Sequence, residues 1–382
     1  MKKKVFTALG LMTGTSMDGM DLSIIKSDGY SEFVPILDDY FEFDKKSQEK
    51  LMHYRSKVLS LKDLERYFEE LKQLEREITL FHGEKIKQIL CSTKDEIDFI
   101  GFHGQTIYHN SDLKISKQLG DGMLLSQITK KIVFNNFRKN DLLSGGEGAP
   151  LTPIFHKLIS SIINKKFKVK FPIYIINIGG ITNITKIGDN NELENSNLKA
   201  CDIAPGNCLI DEWIRKNSNE KFDDKGQIAR SGKVNELIYN QAVDNFELQN
   251  YKKSLDIKDF DLSFVKGLSI EDGSATLTKF TAFLIARGIE YIIDSNDENL
   301  GRFLLTGGGR KNNFLLDKIT EELTNKKIRL ENIDSYEFNG DFIESQAFGY
   351  LAIRSFLKLP ISFPETTNCK NPSTGGILNK NF

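Results

Sequence analysis

The sequence lacks the features that would assign it most directly. Its four cysteines, Cys91, Cys201, Cys208 and Cys369, lie far apart and form no CxxC or Cys/His cluster. That excludes a zinc site of the usual spacing and leaves buried, reduced thiols of a cytosolic protein. Neither sign of charge is in excess: 52 basic and 53 acidic residues give a net charge of −1. No global basic field is available for nucleic acid. No apolar run approaches the ~20 residues that span a bilayer. The start, Met1 to Lys4 followed by Val5 to Met12, has the outline of a signal peptide. Its apolar part is short, no small-residue cleavage site follows, and Asp18 arrives soon after, so the outline is rejected. Also missing are the Walker A spacing and the dinucleotide GxGxxG, the two commonest phosphate loops.

What is there begins with a hairpin. The apolar run Val5 to Met12 breaks at a Gly-punctuated polar turn and resumes at Leu22 to Ile25. Gly14 and Gly19 let backbone approach a ligand closely. Thr15 and Ser16 bring hydroxyls, and Asp18 and Asp21 carboxylates, a set suited to phosphate oxygens and the Mg²⁺ that travels with them. The arrangement recurs in the second half as strand Phe171 to Asn177, turn Ile178 to Asn183 and strand Ile184 to Ile187. An ordinary polar turn explains either one alone. The pair suggests duplicated domains holding the two ends of a polyphosphate. A chain of 382 residues with 39% hydrophobic content is long enough for two such domains.

Other stretches carry candidate chemistry. Leu61 to Leu90 has helical spacing, with Leu64, Phe68, Leu71, Leu74, Ile78 and Phe81 on one side. A short strand from Ile97 ends in Phe102-His103-Gly104-Gln105-Thr106, polar side chains where open α/β sheets bind ligands. His103 is open to a structural or a functional role. Strand Lys131 to Phe137 ends in Arg138-Lys139-Asn140-Asp141. The glycines of Ser144 to Pro150 suit a hinge, a ligand-facing loop or a plain linker. Asp202, on a Pro-Gly loop ahead of a helix from Cys208 to Arg215, is either a general base or a helix cap, and Asn207 is better placed for the cap. Gln249 to Phe264 reads as a surface excursion. The strand Phe303 to Leu305 runs into Gly307-Gly308-Gly309 and a helix from Asn313, which puts bare backbone at a helix N-terminus, suited to a nucleotide. Glu344 opens a last helix to Leu357.

Taken in order, these segments resemble a known family. Gly14-Thr15-Ser16-Met17-Asp18-Gly19, Gly101 to Thr106, Phe137 to Asp141, Gly145 to Pro150, Asn177 to Asn183, Asp202 to Asn207, Thr306 to Gly309 and Glu344 to Phe348 together resemble the anhydro-N-acetylmuramic acid kinases. The resemblance implies a two-lobed α/β fold of the actin/hexokinase/Hsp70 (ribonuclease H-like) type with ATP in a central cleft. It places one lobe at 1–133 plus about 347–382 and the other at 134–346. The implied enzyme is cytoplasmic and homodimeric and works in peptidoglycan recycling. With ATP and Mg²⁺ it opens 1,6-anhydro-N-acetylmuramic acid with water and phosphorylates O6. Asp202 matches the catalytic base. Gly14, Thr15, Ser16, Met17, Asp18, Gly19, Met20 and Asp21, with Gly179, Gly180, Thr182 and Asn183, would hold phosphates, Asp18 facing the metal. Gly307, Gly308, Gly309 and Asn312 would back the adenosine. His103, Gly104, Gln105, Thr106, Asp121, Arg138 and Glu344 would line the sugar pocket, Arg138 meeting the lactyl carboxylate.

Two departures stand out. Ile203 and Ala204 replace the Thr and Gly usual after the catalytic Asp, which bears on how Asp202 is positioned. Arg310-Lys311 stands where Ala-His is common, which bears on ATP affinity or triphosphate contacts. A kinase for another amino sugar, and an ATP-dependent conformational protein without a sugar pocket, remain as alternatives.

Overall fold

Both apolar hairpins form, and each founds a sheet with the same strand order. A computed structural model of the chain describes residues 3–189, 197–246, 251–293, 301–323 and 328–382. The chain divides into two units, Met1–Ser161 with Phe342–Phe382, and Ile162–Asp341.

In the first unit, β1 (Phe6–Met12), β2 (Gly19–Ser27) and β3 (Phe33–Glu42) make an antiparallel meander. β4 (Phe99–Phe102) runs parallel to β1. β5 (Gln105–Asn110) and β6 (Ile115–Leu119) form a separate two-stranded ribbon. β7 (Ile132–Asn135) lies parallel to β4, and a short strand Ile377–Asn379 closes its far side. The order is β3-β2-β1-β4-β7. In the second unit, β8 (Ile173–Ile178), β9 (Ile181–Ile187) and β10 (Leu198–Pro205) repeat the meander. β11 (Arg302–Thr306) and β12 (Leu330–Asn332) repeat the parallel pair, giving β10-β9-β8-β11-β12. Every residue of β1 and β8 is buried, as expected of central strands covered on both faces.

The unit boundaries differ from those read from the sequence. β7 hydrogen-bonds to β4, which keeps residues 134–161 with the first unit. Helix Ile343–Phe356 packs whole against β1, β2 and β4, so Glu344 belongs to the first unit as well.

That helix lies unusually close to the sheet. A Cβ on Gly10 would sit 1.9 Å from the Ser345 carbonyl oxygen, and one on Gly101 2.1 Å from that of Phe348. Backbone touches backbone there. Helix Phe68–Ser92 buries Leu71, Leu74, Ile78, Ile86 and Ile89. The single long helix read from Leu61 is two, broken at Tyr67, and Phe68 begins the second with its ring exposed. In the second unit, helix Ile270–Ile292 packs under β10, and Trp213 Nε1 donates to the Ile270 carbonyl at 3.0 Å. Of the four cysteines, all free, only Cys369 is fully buried; Cys91 is exposed, against the expectation of buried thiols. No described helix is long and apolar enough to cross a membrane. Residues 1–2 and 247–250, parts of the N-terminal run and of the Gln249 to Phe264 excursion, lie outside the described residues.

Adding a methyl group where backbone meets backbone should strain the first unit. We expect Gly101→Ala to destabilise it by about 1–3 kcal/mol, the usual range for overpacking. An unchanged urea midpoint would refute the close-packing account.

Candidate active site

In the first unit the phosphate-type turn, residues 13–18, joins β1 to β2. A Cβ on Gly14 would meet nothing nearer than Ser16 Oγ at 3.7 Å, so the backbone there is open to a ligand. Thr15 and Ser16 are exposed. Ser16 Oγ donates to Asp18 Oδ1, and the Asp18 carbonyl accepts from the Phe43 amide at 2.8 Å. The phenol of Tyr40, on β3, meets the Asp18 carboxylate; burial first, and then the Asp18 charge, push that phenol well above its ordinary range. Met17 and Met20 do not present side chains to a ligand. Met17 takes a left-handed φ of 55° and buries its thioether among Phe43, Leu51 and Val58, while Met20 is in the core below β2. Among the described residues no group of three or more His, Cys, Asp or Glu side chains is placed to hold a metal ion. A half-buried carboxylate beside open backbone still suits Mg²⁺, which keeps several waters and takes one or two carboxylates beside phosphate.

The sugar-type residues gather just beyond β4. Gly104 has φ +75°, and a Cβ there would lie 2.5 Å from the Leu119 carbonyl oxygen. Its own carbonyl accepts from Thr13 Oγ1 at 2.8 Å and from His103 Nδ1 at 2.6 Å. His103 Nε2 faces Arg138 Nη2 at 2.9 Å. A guanidinium only donates, so Nε2 is the acceptor and Nδ1 carries the proton. The tautomer is fixed by both neighbours. Burial first, and the Arg138 charge second, hold this imidazole far below its ordinary pKa. Gln105 Nε2 donates to the Gly14 carbonyl at 3.1 Å, and its buried Oε1 has no hydrogen-bond partner among the described residues. Such an acceptor waits for a donor. Glu344 is half-buried but closely surrounded by protein; desolvation raises its carboxyl pKa, and the Arg138 charge opposes that. Asp121 is exposed and caps helix Gly122–Thr129, Oδ1 accepting from the Leu124 amide.

The second unit holds the other candidates. A Cβ on Gly179 would meet only the Ile181 carbonyl oxygen at 3.5 Å and Asn177 Nδ2 at 3.8 Å, so this turn is as open as that at Gly14. Behind it, the Gly206 and Asn207 amides donate to the Gly180 and Gly179 carbonyls. Thr182 Oγ1 is turned inward to the Pro205 carbonyl. Asn183 pairs in register with Asp202, and its buried Oδ1 has no partner among the described residues.

Asp202 is not on a loop. It lies in β10, where the register shifts between Asp202 and Ala204. The bulged residue, Ile203, is buried against helix Ile270–Ile292 at Gly288, where a Cβ would be 2.3 Å from Ile203 Cβ. Ile203 thus locks the bulge beside Asp202. Asp202 is 6% exposed, and its Oδ2 accepts the Leu255 amide at 2.9 Å. Asn207 does occupy the N-cap position of helix Cys208–Asn217, but makes no side-chain cap bond. Burial, then the Asp202 charge, push the Cys201 thiol up to about 12.

The triple glycine is not at an α-helix N-terminus. Gly308–Lys311 is a 3₁₀ turn, and Asn312 then caps helix Asn313–Glu322 through the Leu315 amide. Gly307 and Gly309 have no room for a side chain, whereas a Cβ on Gly308 would meet only Asn207 Nδ2 at 3.9 Å. Gly308 is therefore the open face of this turn. Arg310 does not point outward to a triphosphate. It pairs with Asp334 through Nε (2.8 Å) and Nη2 (3.2 Å), and Nη1 reaches Asp341 (2.6 Å) and the Gly307 carbonyl (3.0 Å). It fastens the glycine turn from behind. Thr13, Tyr40 and Arg310 hold these supporting roles through partners remote in the chain, which no local sequence pattern signals.

Known proteins match this chain along nearly its whole length. The sequence pattern described as anhydro-N-acetylmuramic acid kinase matches residues 6–380. The chain is 52% identical to the anhydro-N-acetylmuramic acid kinase of Pelagibacter ubique, over all of both chains. It is 37% identical to that of Zymomonas mobilis, over 97% of this chain and 99% of the other. With the Agrobacterium fabrum enzyme the identity is 34%, over 98% and 99%. The fold is two α/β units of repeated strand order.

Three buried histidines make an acid prediction. Burial lowers His82 to about 4 and His156 to about 3, and holds His103 low as well. Below pH ~6.5 the unfolded chain takes up protons that the folded chain refuses, so stability falls as pH drops. The slope approaches about 1.4 kcal/mol per pH unit for each histidine, down to the pH where His82 titrates. Urea titrations from neutral pH downward test this, and ¹⁵N shifts should keep His103 a neutral Nδ1–H imidazole to about pH 5.5. A titrating His103 near its ordinary pKa would overturn the assignment.

Proposed function

This chain belongs to the anhydro-N-acetylmuramic acid kinase family, and on that premise we propose that it uses ATP to convert 1,6-anhydro-N-acetylmuramic acid and water to N-acetylmuramic acid 6-phosphate and ADP, in the recycling of cell-wall sugar. The observation that carries this is the match over residues 6–380. A kinase for another amino sugar, or an ATPase without a sugar, is not favoured: the relatives at 52% and 37% identity are both named for the anhydro sugar.

The bicyclic sugar has no free 6-hydroxyl. O6 becomes a nucleophile only as its bond to C1 breaks. In the proposed course Asp202 takes a proton from water, the water oxygen bonds to C1, and the C1–O6 pair passes to O6. O6 then bonds to the γ-phosphorus as the bridge to ADP breaks. What supports Asp202 as the base is its burial and the Leu255 N–H that fixes one carboxylate oxygen. Such base catalysis is worth ~10²–10⁴-fold; positioning and neutralised phosphate charge supply much of the rest.

Arg138 suits the lactyl carboxylate, since its fork matches a carboxylate bidentately and its orientation is set by Gly148 and His103. His103, being neutral, takes no part as an acid. Gln105 Oε1 offers an acceptor to a sugar donor, and Glu344 closes the charge pattern beside Arg138. The turns at Gly14 to Asp21 and Gly179 to Asn183 take phosphate oxygens on bare backbone, and Gly307 to Gly309 with Asn312 back the adenosine. Mg²⁺, met by Asp18 through water, would neutralise phosphate charge. A homodimer in the cytoplasm completes the proposal.

Asp202→Asn should lower turnover by at least ~10²-fold while calorimetry finds ATP binding intact. Product from the unmodified protein should carry phosphate on O6 by ³¹P–¹H correlation. Near-normal turnover in the variant would remove Asp202 from the base role, and no product from the anhydro sugar would remove the function.

A further inference from the structure

Arg138 is held from behind by a network lying within the first unit, built from residues outside the proposed substrate contacts. Its Nη1 donates to the Gly148 carbonyl at 2.7 Å. The Gly148 amide donates in turn to Asp141 Oδ2 at 2.7 Å. Thr367 Oγ1 donates to Asp141 Oδ1 at 2.6 Å, and the Cys369 thiol also reaches this carboxylate. Asp141 is 1% exposed and Thr367 fully buried.

A buried carboxylate is costly to desolvate unless it is well hydrogen-bonded. Among the described residues Asp141 has no salt-bridge partner within 4.0 Å; an amide, a hydroxyl and a thiol satisfy it. Apolar residues often stabilise such a position at least as well as buried charge, so packing alone does not explain an aspartate here. The surrounding loop does. A Cβ on Gly146 would lie 2.3 Å from Asp141 Oδ2, so the backbone lies directly on the carboxylate. The Gly146 amide bonds to the Asp141 carbonyl at 2.9 Å, and the Glu147 amide to the Thr367 carbonyl at 2.7 Å. Gly148 then takes φ +76°. The loop, read from the sequence as a hinge, a ligand-facing loop or a linker, has the geometry of a splint. It converts the position of Asp141 into the aim of one carbonyl.

We propose that Asp141 and Thr367 are positioning residues for recognition of the sugar's carboxylate: they fix the Gly148 carbonyl and, through it, the guanidinium of Arg138. The proposal rests on the reading of Arg138 as the carboxylate-binding fork. A planar fork grips a carboxylate well only when its plane is set. Two acceptors on different elements, Gly148 and His103, set it here. When Gly148 is loosened, the guanidinium pivots about its bond to His103. The loss falls on sugar affinity and leaves nucleotide handling alone.

Steady-state kinetics with 1,6-anhydro-N-acetylmuramic acid and MgATP test this on Thr367→Val, Thr367→Ser, Asp141→Asn and Arg138→Ala. Thr367→Val should raise the sugar KM about five- to tenfold, the effect of one ordinary hydrogen bond, with kcat and the ATP KM within about twofold. Thr367→Ser, which keeps the hydroxyl, should restore the sugar KM. Asp141→Asn should show the same split, and it decides the matter if Thr367→Val does not fold. If Arg138→Ala leaves the sugar KM unchanged, the carboxylate reading itself falls. If Arg138→Ala raises it and folded Thr367→Val and Asp141→Asn do not, the positioning proposal alone falls. A parallel rise in both KM values, or a loss that serine does not restore, also overturns it.

Discussion

Everything placed in the first unit depends on one close approach, that of helix Ile343–Phe356 to the backbone of β1 and β4. Gly10 and Gly101 permit it, since a side chain on either would collide with a helix carbonyl. The approach sets the depth of Glu344 in the helix's first turn. It also brings the Phe348 ring to 4.6 Å from the His103 imidazole and 5.3 Å from Phe137. Those two residues follow β4 and β7. A helix held further out would leave His103 without its aromatic wall, and Arg138, next to Phe137, without a fixed starting point. Ser23 and Ser345, whose hydroxyls meet at 2.7 Å, lock the same contact at β2.

From that frame the polar geometry follows by satisfaction of donors and acceptors. A buried imidazole between a carbonyl and a guanidinium has one tautomer available, because protonating it would set N–H against N–H. A neutral His103 is then a fixed acceptor, so Arg138 is oriented by acceptors. Thr13 and Gln105 extend this order into the phosphate-type turn, bonding to the Gly104 and Gly14 carbonyls. Sugar-type and phosphate-type residues of this unit are therefore one rigid constellation, the condition for positioning to contribute strongly to rate.

The hairpins were legible in the sequence because their signal is local: apolar run, glycine turn, apolar run. Their duplication was legible for the same reason, and the ordered motifs carried the family. What the sequence concealed depends on distant partners. Arg310 stood out only as a departure bearing on ATP affinity or triphosphate contacts, but Asp334 and Asp341 hold it inward. Asp202 looked like a loop residue before a Pro-Gly pair, but Ile203 finds a place against Gly288 and keeps the chain in β10 through a bulge. Met17 and Phe68 show the converse. Spacing made Phe68 a core residue and left Met17 on a polar turn; a helix break at Tyr67 exposes the first, and a left-handed φ buries the second. Periodicity has no access to either backbone event.

The repeated strand order makes position in the fold, rather than fold itself, the carrier of function. β1 and β8 are equivalent, and each leads into a turn whose glycine leaves backbone open, at Gly14 and Gly179. β4 and β11 are equivalent too, but the segments beyond them have diverged. After β4 come His103, Gly104 and Gln105 and then the ribbon β5–β6, which supplies Leu119 as the wall behind Gly104. After β11 comes a tight 3₁₀ turn of glycines, fastened by Arg310 and open only at Gly308. A side-chain-rich corner can distinguish one sugar from another; a side-chain-poor one can only admit a flat group against backbone. On the function proposed above, the duplicated frame would keep the same contact, phosphate on bare amides, at one strand end. At the next strand end the divergence would divide the remaining work, with specificity in one copy and plain accommodation in the other.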